Sequence, residues 1–372
     1  MKQAVLRPAS RRWRLMVSGT AVGLLGLGSV GLAPAALASA RPHLPAIGFN
    51  SKGDILIADQ FNNRVVEINR QHQVVWHFGN GSSVPGPHSI VGTNDAQRVG
   101  RLTLISGTGT PPGADPSCTN KAGCPDNRVI LVNQAGKIVW QYGKAGATGS
   151  GFNRLNTPVQ ATYLPNGHIL ITDQANERVI DVNRAHHIMW QYGTTGVVGN
   201  GFDQLSNPNS AELLANGHIL IADENNNRVI EVTRSHHIVW QYGHKKTTGV
   251  LNGAAFASRL PNGDTLITDS NNNRILIVTH GKKVVFDYAT NTRRGSMAMP
   301  LPTRAVMLRN GNILISDQFN DQVIEINQHK HIVFAQGKIQ VDGSSPGLLN
   351  APYDAKAIGD YTGLTPPFGF GH

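Results

Sequence analysis

One 28-residue unit recurs along this chain at intervals of 46 to 64 residues, and a recurrence at that period restricts the possible architectures more than any compositional figure. Asn166 to Gly193 reads NGHILITDQANERVIDVNRAHHIMWQYG and Asn216 to Gly243 reads NGHILIADENNNRVIEVTRSHHIVWQYG, identical at 20 of 28 positions. Further copies begin at Gly53, Asn262 and Asn310, and a sixth is split, with Arg101 to Ser106 separated from Arg128 to Gly143 by an insertion. The aromatic residue of the last segment falls at Trp76, Trp140, Trp190, Trp240, Phe286 and Phe334, and the one wide spacing belongs to the copy with the insertion.

Each unit carries short apolar segments rich in Ile and Val, separated by Asn-Gly, Asn-rich and His- or Gly-containing turns, which is the patterning of strands. No segment keeps a 3.6-residue period long enough for a helical solenoid. In the fourth unit the four strands are expected at Ser210 to Ala215, His218 to Asp223, Arg228 to Thr233 and Ile238 to Tyr242. Six such antiparallel sheets predict an all-β, six-bladed β-propeller, in which blades bury both faces against neighbours and closure leaves only short edges. The stretch Leu349-Asn-Ala-Pro-Tyr-Asp-Ala355 matches Leu155-Asn-Thr-Pro-Val-Gln-Ala161, so residues 352–358 are expected to form the inner strand of the blade holding residues 54–79 and so close the ring.

The first 40 residues read as an export signal and the propeller domain as residues 41–372. Lys2, Arg7, Arg11, Arg12 and Arg14 precede a glycine-rich apolar stretch and an Ala38-Ser39-Ala40 cleavage site, and Ser10 to Leu15 resembles a twin-arginine signal. An uncleaved membrane anchor is the alternative; no later segment is apolar enough to span. The expected location is therefore extracellular, in the cell wall or in the periplasm. Removing five of the 33 cations leaves 28 Lys and Arg against 23 Asp and Glu. So small an excess, with no basic stripe carrying interleaved aromatics, argues against specific nucleic-acid binding. Cys118 and Cys124 lie in a Pro- and Gly-rich insertion in the second blade and are expected to close a small disulfide loop in an oxidising compartment.

The sets Asp59/Asn63/Arg64, Asp173/Asn176/Arg178, Asp223/Asn226/Arg228 and Asp269/Asn272/Arg274 resemble the D-x-x-N-x-R core of the NHL repeat. The ending Lys137-Ile-Val-Trp-Gln-Tyr142 is similar to the last strand of pyrroloquinoline-quinone-like and arylsulfotransferase-like propellers. These resemblances imply the fold more narrowly than the activity, since NHL-type propellers include lyases, lactonase relatives, kinase sensor domains and interaction modules. The arylsulfotransferase-like resemblance implies a channel histidine that receives a sulfuryl group and basic residues that hold its oxygens, parts that would fall to His88 and Arg304.

Counting five residues back from each Asn-Gly turn gives Ser89, Ala161, Ala211, Ala257, Ala305 and Ala355, small residues suited to six inner strands converging on an axis. Six back gives His88, Gln160, Ser210, Phe256, Arg304 and Asp354, unlike groups at one height, and Asn209, Thr303 and Tyr353 lie one residue earlier. A funnel so lined suits a small anionic ligand clamped by Arg304 or a cell-envelope component, bound by a monomeric scaffold. The alternative is an enzyme of lyase, hydrolase or lactonase, or arylsulfotransferase-like type, with His88, Arg304 and Asp354 as its machinery. No cofactor is required; calcium or a transition metal is open. Asp223-Glu-Asn225 alternates oxygen ligands but lacks an EF-hand's glycine and glutamate, so it reads as a turn cap. His168, His186, His187, His218, His236 and His237 gather by sequence on the face opposite the funnel, either as metal ligands or as solvated hairpin residues, and below about pH 6 they would make that face strongly basic.

Overall fold

The computed structural model describes residues 48–244 and 250–360. The expected export segment, residues 1–40, lies outside the described residues. Among the described residues no helix is long and apolar enough to cross a membrane.

Six four-stranded antiparallel sheets make up the fold. Blade 4 shows the plan, with strands Pro208–Leu213, Ile219–Asp223, Arg228–Val232 and Ile238–Gly243 running outward from the axis. Blades 2, 3, 5 and 6 span residues 93–143, 158–192, 254–289 and 304–337. Blade 1 takes its inner strand, Pro352–Ala357, from the far end of the chain, pairing Ile57 with Ala355 beside Ile55–Asp59. The ring closes as the repeat pattern requires, and inner strands of successive blades touch around the axis.

The three inner strands of each blade bury both faces because neighbouring blades cover them, whereas the fourth strands leave residues such as Met189 and Val239 exposed. Ile219, Leu220 and Ile221 are essentially solvent-free on consecutive positions, as are Ile169, Leu170 and Ile171. The small residues Ala161, Ala211, Ala257, Ala305 and Ala355 occupy one level of the inner strands, opposite Ile171, Ile221, Ile267, Ile315 and Ile57.

Blade 2 departs from the expected register. Its inner strand is Thr93–Val99 and its hairpin turns at Gly100-Arg101, not at Asn94, so Ala96 opposite Ile105 is the small residue of this blade and Ser89 is not. Gly100 adopts φ +57°, the left-handed conformation such a tight turn needs, while Asn94 and Asp95 stay in the strand. Cys118 and Cys124 are joined, at the tip of the long strands Leu102–Thr110 and Cys124–Asn133. Asn63 of blade 1 donates to Asp115 at 2.6 Å, which seats this insertion on its neighbour.

Two sets of ties join neighbouring blades. At the end where inner strands begin, the mouth face, a residue held at positive φ accepts the backbone N–H of the next blade's incoming segment: Asn63 from Gly92, Asn127 from Thr157, Glu177 from Asn207, Asn227 from Gly253, Asn273 from Leu301 and Asp321 from Ala351. The preceding Asp and Arg serve the turn. Asp223 accepts from Ser206 N–H, Asn226 and Arg228, and Arg228 reaches the carbonyls of Asn200 and Gln204 on the incoming connection. Backbone and side-chain donors thus saturate these carboxylates, the capping role expected of them.

At the opposite end, the hairpin face, a third-strand acid pairs with a cation of the next blade: Glu67 with Arg98, Asp181 with Arg234, Glu231 with Arg259 and Glu325 with Arg70. The indole N–H groups of Trp76, Trp140, Trp190 and Trp240 donate to carbonyls of the next blade's hairpin at 2.8–3.1 Å. Glu67 and Arg98 are both solvent-free, and the Arg98 guanidinium lies over the rings of Phe49 and Trp76, which meet edge to face. Burial pushes Glu67 up to about 7 from an ordinary 4.5, against the pull of Arg98. Because the folded value is raised, this carboxyl's contribution to stability is complete below about pH 4.5 and is lost as pH rises through about 7. The urea midpoint of the wild type should therefore fall more steeply between pH 5 and 7.5 than that of Glu67→Gln. Equal slopes would contradict this origin.

Candidate functional site

The inner strands place one ring of side chains at the level just above the small residues. With blade 2 in its observed register the ring is Asp95, Gln160, Ser210, Phe256, Arg304 and Asp354, each at most 2% exposed. Four of them reach forward to the unpaired edge of the next blade. Asp354 accepts the N–H of Ala96, Asp95 that of Ala161, Gln160 that of Ala211 and Ser210 that of Ala257, at 2.6–3.3 Å. These bonds satisfy edge N–H groups that sheet pairing leaves over.

Phe256 and Arg304 cannot accept, and the ring changes character there. The Arg304 guanidinium carbon lies over the Phe256 ring, 4.3 Å from its centroid, with Nη2 3.0 Å from Asp95 and Nε 3.1 Å from Asp354. Lys356, two residues beyond Asp354 on the same strand face, places Nζ 2.7 Å from Asp95, 2.5 Å from Asp354 and 2.9 Å from the carbonyl of Ala96. Two cations and two carboxylates thus form a buried neutral cluster. Burial raises Asp95 against Lys356, whereas at Asp354 Lys356 and Arg304 outweigh burial and hold the carboxyl below its usual range.

This arrangement corrects two expectations. Arg304 has no spare charge for a small anion, because it is 1% exposed and faces two carboxylates. His88 does not join Arg304 and Asp354. It is exposed in the turn between Gly86 and Ser89, which Arg128 of the third strand holds through both their carbonyls.

Above the charged ring the mouth face is lined by amides and hydroxyls. Gln318 donates to Gln60 and Gln60 to Asn94, both at 2.8 Å, linking blades 6, 1 and 2. From the other side Asn209 donates to Glu224 at 2.8 Å and to the Tyr353 hydroxyl at 2.9 Å. Asn209 belongs to blade 4 and Tyr353 to blade 1, opposite blades of the ring, so this phenol spans the mouth. Thr303 donates to the carbonyl of Tyr353 at 2.6 Å. Burial raises Tyr353, helped by the Glu224 charge, and burial also raises Glu224 against its donors Asn209 and Asn207. Asn209, Thr303 and Tyr353 lie here, at the rim expected for them, together with Gln60, Asn94, Glu224 and Gln318, which were not expected. Three of those four directly follow the second-strand aspartate of their units, Asp59-Gln60, Asp223-Glu224 and Asp317-Gln318.

The histidines of the hairpin face go to separate partners. His168 and His218 lie 2.8 Å from Asp181 and Glu231, and His186 and His236 turn to the preceding blade, against Trp140 and Tyr142 or Trp190 and Tyr192. His187 and His237 are exposed. Among the described residues no group of three or more His, Cys, Asp or Glu side chains is placed to hold a metal ion.

No family model matches the chain, and no curated protein is significantly similar to it in sequence. In structure it is similar to a protein of unknown function from Bacteroides caccae, with TM-score 0.53 and 15% identity over 77% of this chain and 93% of that one. It is also similar to virginiamycin B lyase from Staphylococcus aureus, with TM-score 0.50 and 14% identity over 78% of this chain and 83% of that one. At such identities the likeness is one of fold.

Proposed function

We propose that this propeller is an exported binding scaffold whose mouth face takes a small neutral ligand rich in hydroxyl or amide groups, such as a saccharide of the cell envelope. The observation that carries this reading is the pairing of an amide- and hydroxyl-lined mouth with a charge cluster that is neutral within itself. Gln60, Asn94, Asn209, Thr303, Gln318 and Tyr353 are buried and hydrogen-bonded to one another or to backbone, with donors and acceptors in near balance, so a neutral polyhydroxyl or amide ligand would exchange these bonds for its own. An anion would find no uncompensated cation here. Export is supported by the basic and apolar leader and by the Cys118–Cys124 bond, which persists in oxidising compartments.

Titration calorimetry of the mature protein with neutral oligosaccharides, and with sulfated or phosphorylated counterparts, tests the reading. Neutral ligands should bind, Asn209→Ala and Gln60→Ala should weaken them about tenfold, the loss expected from one or two hydrogen bonds, and His88→Ala should bind as wild type. Salt-sensitive binding of the anionic set alone would refute it.

A further inference from the structure

The hairpin face is not uniform, and its exception is a groove. The blade 5–6 interface lacks both ties that recur elsewhere: Ile277 stands where Glu67, Asp181, Glu231 and Glu325 stand in their blades, and Phe286 stands where four other blades carry Trp and so has no N–H to donate. Met307 occupies the position of Arg98 and Arg259. Leu131 and Tyr163 make a similar apolar substitution at the blade 2–3 interface, and like Ile277, Phe286 and Met307 they join a core cluster, but there Trp140 keeps its hydrogen bond to the carbonyl of Arg184. Between blades 5 and 6 an open cavity of about 510 Å³ is left, its lining including Leu260, Ile277, Val285, Phe286, Met307 and Arg309. That volume falls in the ~300–1,000 Å³ range of sites that hold ligand-sized groups.

The chain itself leaves the described residues at this rim. Asp360 accepts the Arg309 N–H on both carboxylate oxygens at 3.0 Å. The residues that follow, Tyr361 to His372, read YTGLTPPFGFGH and carry no Lys, Arg, Asp or Glu. Leu364, Phe368 and Phe370 make that segment apolar, and Pro366-Pro367 lowers the entropy cost of extending it along a groove with an aromatic wall. Four residues from Asp360 to Leu364 reach up to about 13 Å, ample to enter a cavity that Arg309 already borders.

We propose that the groove between blades 5 and 6 is a peptide-docking site whose occupant is the chain's own segment 361–372, which seats Leu364 and the Phe368/Phe370 pair there and fastens the ring-closing strand to blade 6. The proposal is independent of what binds at the mouth.

Hydrogen exchange of the full mature chain, read by mass spectrometry, tests it. Amides between Gly363 and Phe370 should exchange at least tenfold more slowly than in a synthetic peptide of residues 361–372. Ile277→Glu with Met307→Arg, which installs the ion pair of the blade 4–5 interface in the groove, should bring them to within about twofold of the peptide while blade amides keep their protection. Leu364→Asp with Phe368→Asp, which leaves the blades untouched, should do the same if the groove variant fails to fold. Exchange at the free-peptide rate in the wild type overturns the proposal. So does protection that survives both variants, and so does protection that grows with protein concentration, which would assign the segment to a second copy.

Discussion

A chain ending at Ala351 is expected to lose cooperative folding, although it removes only the last 21 of 372 residues. The strand Pro352–Ala357 is the inner strand of blade 1, and without it Ile55 and Ile57, both solvent-free, lose their ladder partners Ala357 and Ala355. The same cut removes Asp354 and Lys356, leaving Asp95 and Arg304 in a cluster stripped of half its charges. It also breaks the closure that spares a propeller its open edges, so that blade 1 and blade 6 each present a free flank. The combined loss is comparable to the ~5–15 kcal/mol that holds a whole domain together. A chain ending at Asp360 retains every one of these contacts and should unfold in a single transition. Circular dichroism melts and gel filtration of the two truncations separate the outcomes. A sharp transition for the Ala351 chain within about 5 °C of the full chain would mean that closure contributes little.

Ring closure was legible because it rests on a seven-residue match, Leu349 to Ala355 against Leu155 to Ala161, and both stretches run into inner strands, at Pro352 and Pro158. Architecture was legible for a similar reason: turn and strand chemistry recur at the same offsets in most copies. Blade 2 was misread because the count used the turn as its ruler, and there a Gly100-Arg101 turn replaces Asn-Gly while Asn94-Asp95 imitates a turn inside a strand. That slip put His88 where Asp95 stands and hid the partner of Arg304. Lys356 could have been found, since it lies two residues after Asp354 and alternation sends both side chains to one face. Its pairing with a carboxylate of another blade, 261 positions away in the chain, had no sequence signal. The groove between blades 5 and 6 does have one: Ile277 and Phe286 depart from the repeat at positions where four copies supply a polar tie, and Met307 stands where two copies carry arginine.

Replacing Arg304 with methionine is expected to cost about 3–5 kcal/mol, the usual loss when one partner of a buried ion pair is removed. The site leaves little room for compensation. Asp95 and Asp354 are each about 1% exposed or less, and after the substitution they share a single cation, Lys356, already 2.7 Å and 2.5 Å from them. Burial already raises Asp95, so in the variant that carboxyl is the one to take up a proton. Its folded value then lies further above its unfolded one, and the destabilisation should grow as pH rises from about 5 to 8 and ease on acidification. Adding Asp95→Asn to Arg304→Met restores neutrality with Lys356 and Asp354 and should recover about half of the loss, a coupling above 1 kcal/mol in a double-mutant cycle. Asp95→Asn alone should also destabilise, because it strands a positive charge instead. At roughly 2–4 °C per kcal/mol in a domain of this size, the single Arg304→Met change corresponds to a fall of about 10 °C in Tm. Additive effects of the two substitutions, or a Tm shift below about 3 °C, would show that water reaches these groups. The axis would then be an open channel in which Arg304 is free to meet an anion after all.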